Sequence, residues 1–167
     1  MRIQPALVIL VAGCATGTSA PVPVIPAIHD HTIVIGQRVG PISLGMSESQ
    51  LADAVGKPTT EQSYGGNRRG LTFTELKIHT VVDTGRVVFV SPLDASYTTT
   101  TGLRVGAREE DVRPVLAPAS RRDRNGTISY CFADRTLVTV SGEGASMPAN
   151  VCARGQVCDI AIGGCEP

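Results

Sequence analysis

Four of the five cysteines, Cys131, Cys152, Cys158 and Cys165, fall in the last 37 residues of the chain. Thiols at that density bind a soft metal, act as nucleophiles, or pair. The intervals between Cys152, Cys158 and Cys165 are wider than the C-x2–4-C knuckle of a structural zinc site, and no histidine lies near them. Two disulfides are therefore expected, in an oxidising compartment. Four cysteines allow three connectivities, and sequence does not choose among them. Other reactive side chains are sparse. His29 and His31 flank Asp30 and would share one face of a strand, but so short a polar cluster reads as solvated. His79 reads as a strand-face residue. The glycine-flanked serines from Ser141 to Ser146 lack the Gly-x-Ser-x-Gly of a nucleophile elbow. The Gly-rich run from Gly65 to Gly70 lacks the Lys-Ser/Thr and the following helix of a phosphate loop. It reads as a loop whose basic pair, Arg68 and Arg69, forms with Tyr64 a candidate partner-facing surface. No catalytic residue, metal ligand or cofactor motif stands out, so the expectation is a binding protein and not an enzyme.

The fifth cysteine has a different setting. Arg2 precedes an apolar run from Pro5 to Ala12, about half the length needed to span a bilayer. That is the form of a signal-peptide core. Val11-Ala12-Gly13-Cys14 resembles the bacterial lipobox, in which cleavage precedes a cysteine whose thiol carries diacylglycerol and whose new amino group is acylated. Several acyl chains anchor stably where one would not. Removing Cys14 from the count leaves an even four. The competing processing site is Thr18-Ser19-Ala20, the small-residue end of an ordinary secretory signal. With Ala15 after the lipid cysteine, sorting by analogy points to the outer membrane, facing the periplasm.

Composition narrows the functional classes. The chain has 15 basic and 15 acidic residues, and losing Arg2 leaves 14 against 15, which argues against a nucleic-acid binder. Arg121-Arg122-Asp123-Arg124 is read as a solvated loop. Aromatic residues make up only 4% of the chain, with no Trp, so the core must be aliphatic.

The elements that position these residues repeat. Pro41 to Gly56 aligns with Gly102 to Ala117 at a constant offset of 61. Each copy has apolar residues two apart, a glycine, then a short helix with Leu51 and Val55, or Val112 and Leu116, on one side. Ser47 and Gln50 make a capping-box candidate. Arg108 is a poor cap, and Pro114 is placed near the end of the first turn. Strands are expected at 70–74, 78–82 and 86–90, with Asp83-Thr84-Gly85 as a hairpin turn, and again at 127–131, 136–140 and 157–162. The expected fold is α+β: two tandem repeats, each a short helical segment followed by a three-stranded antiparallel meander. The expected divisions are a signal peptide at 1–13, a lipidated Pro-rich tether at 14–33, repeat 1 at 34–96 and repeat 2 with the disulfides at 97–167.

The segment Val39 to Ser47, with Leu51, Val55, Gly56 and Pro58, resembles the helix-start signature of the β-lactamase-inhibitor-protein-like and SmpA/OmlA-like envelope lipoprotein domains. Thr101 to Gly106 resembles it again. The resemblance spans roughly residues 35–165. It implies helices packed on an antiparallel sheet and a role in protein–protein contact. The implied partner is an envelope protein of unknown identity, reached from a lipid anchor. The alternative is inhibition of a periplasmic hydrolase. The shared motif is structural, so it assigns no binding residue.

Overall fold

The computed structural model describes residues 30–142 and 152–165. The signal peptide, Cys14, His29, Ser146 and most of the expected tether lie outside the described residues. Asp30 to Ile33 belong to the folded unit: Ile33 is 2% exposed, and Asp30 pairs with Arg38 at 2.5 Å.

Three two-residue strands, β1 (Ile33–Val34), β2 (Arg38–Val39) and β3 (Ile42–Ser43), make a small antiparallel sheet that buries Ile33, Val39 and Ile42. Helix α1 (Glu48–Val55) follows. Its start is the capping box read from sequence: the Gln50 N–H donates to Ser47 Oγ at 3.3 Å, and the Ser47 N–H donates to Gln50 Oε1 at 2.9 Å. Gly56 ends it at φ +76°. Strands β4 (Thr60–Ser63), β5 (Arg68–Phe73), β6 (Ile78–Asp83) and β7 (Arg86–Pro92) come next. Between β6 and β7, Thr84 and Gly85 both take positive φ, 49° and 76°, as a two-residue hairpin turn matched to strand twist requires. Helix α2 (Glu109–Leu116) precedes β8 (Ser120–Arg124), β9 (Thr127–Cys131), β10 (Thr136–Ser141) and β11 (Val157–Ile162).

The expected pair of helix-plus-three-strand repeats is not what forms. The protein is mostly β: one eight-stranded antiparallel sheet in the order β4-β5-β6-β7-β11-β10-β9-β8, plus the three-stranded sheet. Two edge strands escaped the sequence reading. Thr60–Ser63 is exposed at every residue, and so is Ser120–Arg124, the run read as a solvated loop. Strands with water on both faces carry no apolar alternation, so the pattern that marks a half-buried strand is missing. Strands from either side of residues 96 and 97 join one sheet, because β7 pairs with β11 through Ile162 and Val90.

The helix starts are held by matching backbone bonds. Gly45 N–H donates to the Val87 carbonyl and Gly106 N–H to the Val157 carbonyl, both at 2.8 Å. Glu48 N–H reaches the Gly85 carbonyl, and Glu109 N–H the Gly155 carbonyl. Their caps differ. Arg108 makes no side-chain cap, and Pro114 is the sixth helical residue, in the second turn and not the first, so it cannot donate to the Glu110 carbonyl. Ser47→Ala should lower stability by about 1 kcal/mol. Arg108→Ser should raise it by roughly half as much, because the cap it supplies outweighs the exposed Arg108–Glu110 pair. Urea midpoints with unchanged slopes would check both; a loss on Arg108→Ser would refute the cap argument.

All this packing lies on one face of the large sheet. Ile78, Val82, Val87, Val90, Val138, Val140, Ile160 and Ile162 are each no more than 2% exposed and share a core with Leu51, Val112 and Leu116 of the helices and with the small sheet. Tyr97 fills the middle of this layer, its hydroxyl donating to the Leu76 carbonyl at 2.6 Å. No helix of the described residues is long and apolar enough to cross a membrane.

Candidate interaction surface

Strand periodicity settles which side chains face away from the helices. Arg69 pairs with core residue Val82 and ion-pairs with Glu48 of α1, so its neighbours Arg68 and Gly70 point the other way. Tyr130 donates to Glu109 of α2, so Ser129 and Cys131 also point away from the helices. The second face is thus free of both helices.

A row of polar side chains crosses it. Thr72 pairs with His79, and His79 with Ser91. Asp159 pairs with Thr139, Thr139 with Ser129, and Ser129 with Arg122. Ser91 Oγ donates to Asp159 Oδ1 at 2.5 Å, joining the two halves of the row across β7 and β11. Val81, Phe89 and Leu137 lie on the same face, with the Phe89 ring 6.2 Å from that of His79. The face is amphipathic, as a docking surface needs to be.

Two β-bulges shape it. The pairing slips between Val81 and Val82, leaving Val88 unpaired, and between Thr139 and Val140, leaving Cys158 unpaired. Each bulge shifts the register by one, so Phe89 and Asp159 turn away from the helices while Val87 and Val157 stay in the core.

The residues proposed from sequence are split by this geometry. Tyr64 is 47% exposed and lies over Gly70, where a Cβ would sit 2.6 Å from its hydroxyl. Arg68 is on the same open face, across from Asp83. Arg69 is on the opposite face, tied to Glu48 and, at 3.3 Å, to Glu61. These hydrogen bonds raise its pKa, Glu48's first, and leave it as a strut between α1 and the β4–β5 hairpin. Arg68 to Gly70 are strand residues; only Gly65 to Asn67 form the turn. His31 packs on Tyr97, ring centroids 4.9 Å apart. Among the described residues, no group of three His, Cys, Asp or Glu side chains could hold a metal ion.

His79, Ser91 and Asp159 have the composition of a hydrolytic triad but not its wiring. The Ser91 hydroxyl is committed to the carboxylate, and His79 Nδ1 lies 3.2 Å from Thr72 Oγ1. Among the described residues, no imidazole is hydrogen-bonded to the Ser91 hydroxyl, so the Ser–His pairing of such a triad is not formed. Sequence reasoning missed this cluster because its members are 12 and 68 residues apart, and only the sheet brings them together.

Burial dominates the electrostatics here. Desolvation raises the Asp159 pKa against the hydrogen bonds from Ser91 and the Ile160 N–H and the charge of His79. Desolvation lowers that of His79 against the charge of Asp159. A raised carboxylate pKa means the folded state holds the proton more tightly, so this stability is present below pH 3.8 and is lost as pH rises through the folded value. A lowered histidine pKa removes stability as pH falls from 6.5 through the folded value. Asp159→Asn keeps an acceptor for Ser91 and removes the buried charge. It should raise the melting temperature at pH 7, by about 1 kcal/mol of stability, and leave it unchanged below pH 3. Equal shifts at both pH values would refute a charge origin.

The disulfides are Cys131–Cys165 and Cys152–Cys158. The first crosses from the end of β9 over Leu137 of β10 to the chain beyond β11. Two disulfides fit an exported protein.

No protein-family model and no curated protein matches the chain. Among solved structures, it is similar to an extracellular protein containing a SCP domain from Bacillus anthracis, at 9% identity and a TM-score of 0.47, over 71% of this chain and 43% of that one. It is similar to the uncharacterized protein yfeY from Escherichia coli, at 16% identity and a TM-score of 0.45, over 77% and 94%. A cysteine-rich secretory protein from Staphylococcus aureus matches at 9% identity and a TM-score of 0.43, over 71% and 43%. The chain thus spans less than half the length of the first and third. At TM-scores below 0.5, none of the three carries an argument about function.

Proposed function

We propose that this chain is an envelope lipoprotein, anchored through Cys14, that binds another protein with the helix-free face of its eight-stranded sheet. The observation that supports this reading is the asymmetry of the sheet. One face is sealed by two helices and a small sheet, while the other, free of both helices, carries half-buried aromatic, aliphatic and hydrogen-bonding groups such as Phe89, Leu137 and Thr139. Eight strands about 4.8 Å apart, each about 20 Å long, offer roughly 700 Å2. That is near the ~800 Å2 each partner contributes to a standard interface. The resemblance to envelope lipoprotein domains points the same way.

Photo-crosslinkers at Thr139 and Ser129 on the open face, and at Arg113 on α2, test this in intact envelopes. The expected result is one partner captured from the sheet positions and not from Arg113. Capture from Arg113 alone, or from neither face, would overturn the reading. Cys14→Ser should release the chain from membranes, and retention would count against the lipid anchor. A captured hydrolase that loses activity in proportion to added protein would make the chain an inhibitor, the alternative implied by the resemblance.

A further inference from the structure

The β8 edge of the open face carries two arginines, Arg122 and Arg124, without an ion pair among the described residues. They alternate on this face, opposite Ser129 and Thr127. Asp123 between them points to the other face, 3.5 Å from Arg121. Beside the two arginines is a cavity of about 350 Å3, floored by Leu137 and the Cys131–Cys165 bridge. A second cavity, about 450 Å3, adjoins it along the start of β8, where Arg122, Phe132 and Arg135 meet the same disulfide. Among the described residues, neither cavity is lined by a carboxylate. The nearby Asp134 already accepts from the Thr136 N–H at 2.9 Å.

The backbone adds a second recognition element. β8 is the last strand of the sheet, and all five of its residues are exposed. Half of its N–H and C=O groups therefore point outward, with no strand among the described residues to receive them. Arginine on an edge strand discourages pairing with another copy of the same strand, because like charges would meet. It favours a strand of opposite charge. The opposite edge, β4, does not offer the same site: its Glu61 is held by Arg69.

We propose that β8 receives an extended acidic segment of the partner protein, added as a ninth strand, with its carboxylates paired to Arg122 and Arg124. This rests on the protein-binding reading and names the partner's chemistry and its point of entry. Main-chain bonds supply affinity, and the side chains alternating on the arginine face supply selectivity.

The test uses the full-length chain and a fluorescein-labelled peptide of alternating Glu and Val. The peptide should bind, weaken with added salt, and slow amide exchange at 120–124. A Lys–Val peptide should not bind. Arg122→Ser with Arg124→Ser should weaken binding about tenfold or more, whereas Arg121→Ser, on the other face, should change it less than twofold. A peptide N-methylated at alternate residues should lose binding. Retained binding after N-methylation, equal binding of the Lys–Val peptide, or no protection at 120–124 would each overturn strand addition. The two readings fail separately. If the arginine double variant still captures its envelope partner undiminished, the β8 proposal falls and the protein-binding function stands. If the wild type captures no partner, the function itself falls.

Discussion

Replacing Gly163 with alanine should cost the protein several kcal/mol of stability. Gly163 follows β11 at φ +83°, and a Cβ there would sit 2.1 Å from the Val88 carbonyl oxygen and 3.1 Å from its carbon. Val88 is the bulged residue of β7, so the contact lies on the seam where β7 and β11 join the two halves of the sheet. Two penalties combine. A left-handed conformation costs an L-residue about 1–2 kcal/mol. Separating two backbones at a packed seam adds about 1–3 kcal/mol of overpacking. Their sum is a large share of the roughly 5–15 kcal/mol that stabilises an ordinary domain. Gly106→Ala is the control, since Gly106 has φ +82° but nothing within 4 Å of a Cβ. It should show the conformational penalty alone. Urea midpoints followed by circular dichroism would compare the two variants. Equal losses would mean that the seam is not tight and that the halves are joined more loosely than their pairing implies.

The second large effect concerns the disulfides, and here the two bridges should differ. Cys131–Cys165 closes a separation of 34 residues and Cys152–Cys158 one of 6. The loop-entropy relation gives about 4 kcal/mol for the longer loop and about 2 kcal/mol for the shorter at 25 °C. The long bridge also ties β9 to the end of β11 across Leu137, with Gly164 close enough that a Cβ would come 2.9 Å from the Leu137 Cβ. Replacing Cys131 and Cys165 together by serine should therefore lower the urea midpoint about twice as far as replacing Cys152 and Cys158. Losing both bridges should approach the sum of the two losses. A reversed order, or non-reduced peptides linking Cys131 to Cys152, would refute the pairing. The long bridge also floors the cavities at β8, so its loss should loosen the acidic-strand site while leaving Tyr64 and Arg68 at the other edge undisturbed.

Local features of the chain were legible from residues alone. Ser47 and Gln50 announce the start of α1, Asp83-Thr84-Gly85 announces a hairpin, and the alternation in Thr127–Cys131 marks β9 as half-buried. These signals depend on neighbours a few residues away. β8 was misread although Asn125-Gly126, the strongest short hairpin signal, stands between it and β9 with φ of +51° and +75°. Its arginines suit a solvated loop, but charge is also how an exposed edge strand avoids unwanted pairing.

What tertiary structure alone decided is everything that depends on pairing distant segments. The partners of the four cysteines, the joining of β7 to β11 and the meeting of His79, Ser91 and Asp159 are of this kind. So is the assignment of Arg68 and Arg69 to opposite faces, since it needs the start of β5 at Arg68, two residues before the apolar pattern begins. Covalent geometry and short-range hydrogen bonds write turns and caps into adjacent residues. Strand order and sheet faces come from a competition among many possible long-range pairings, settled by which arrangement hides the most aliphatic surface.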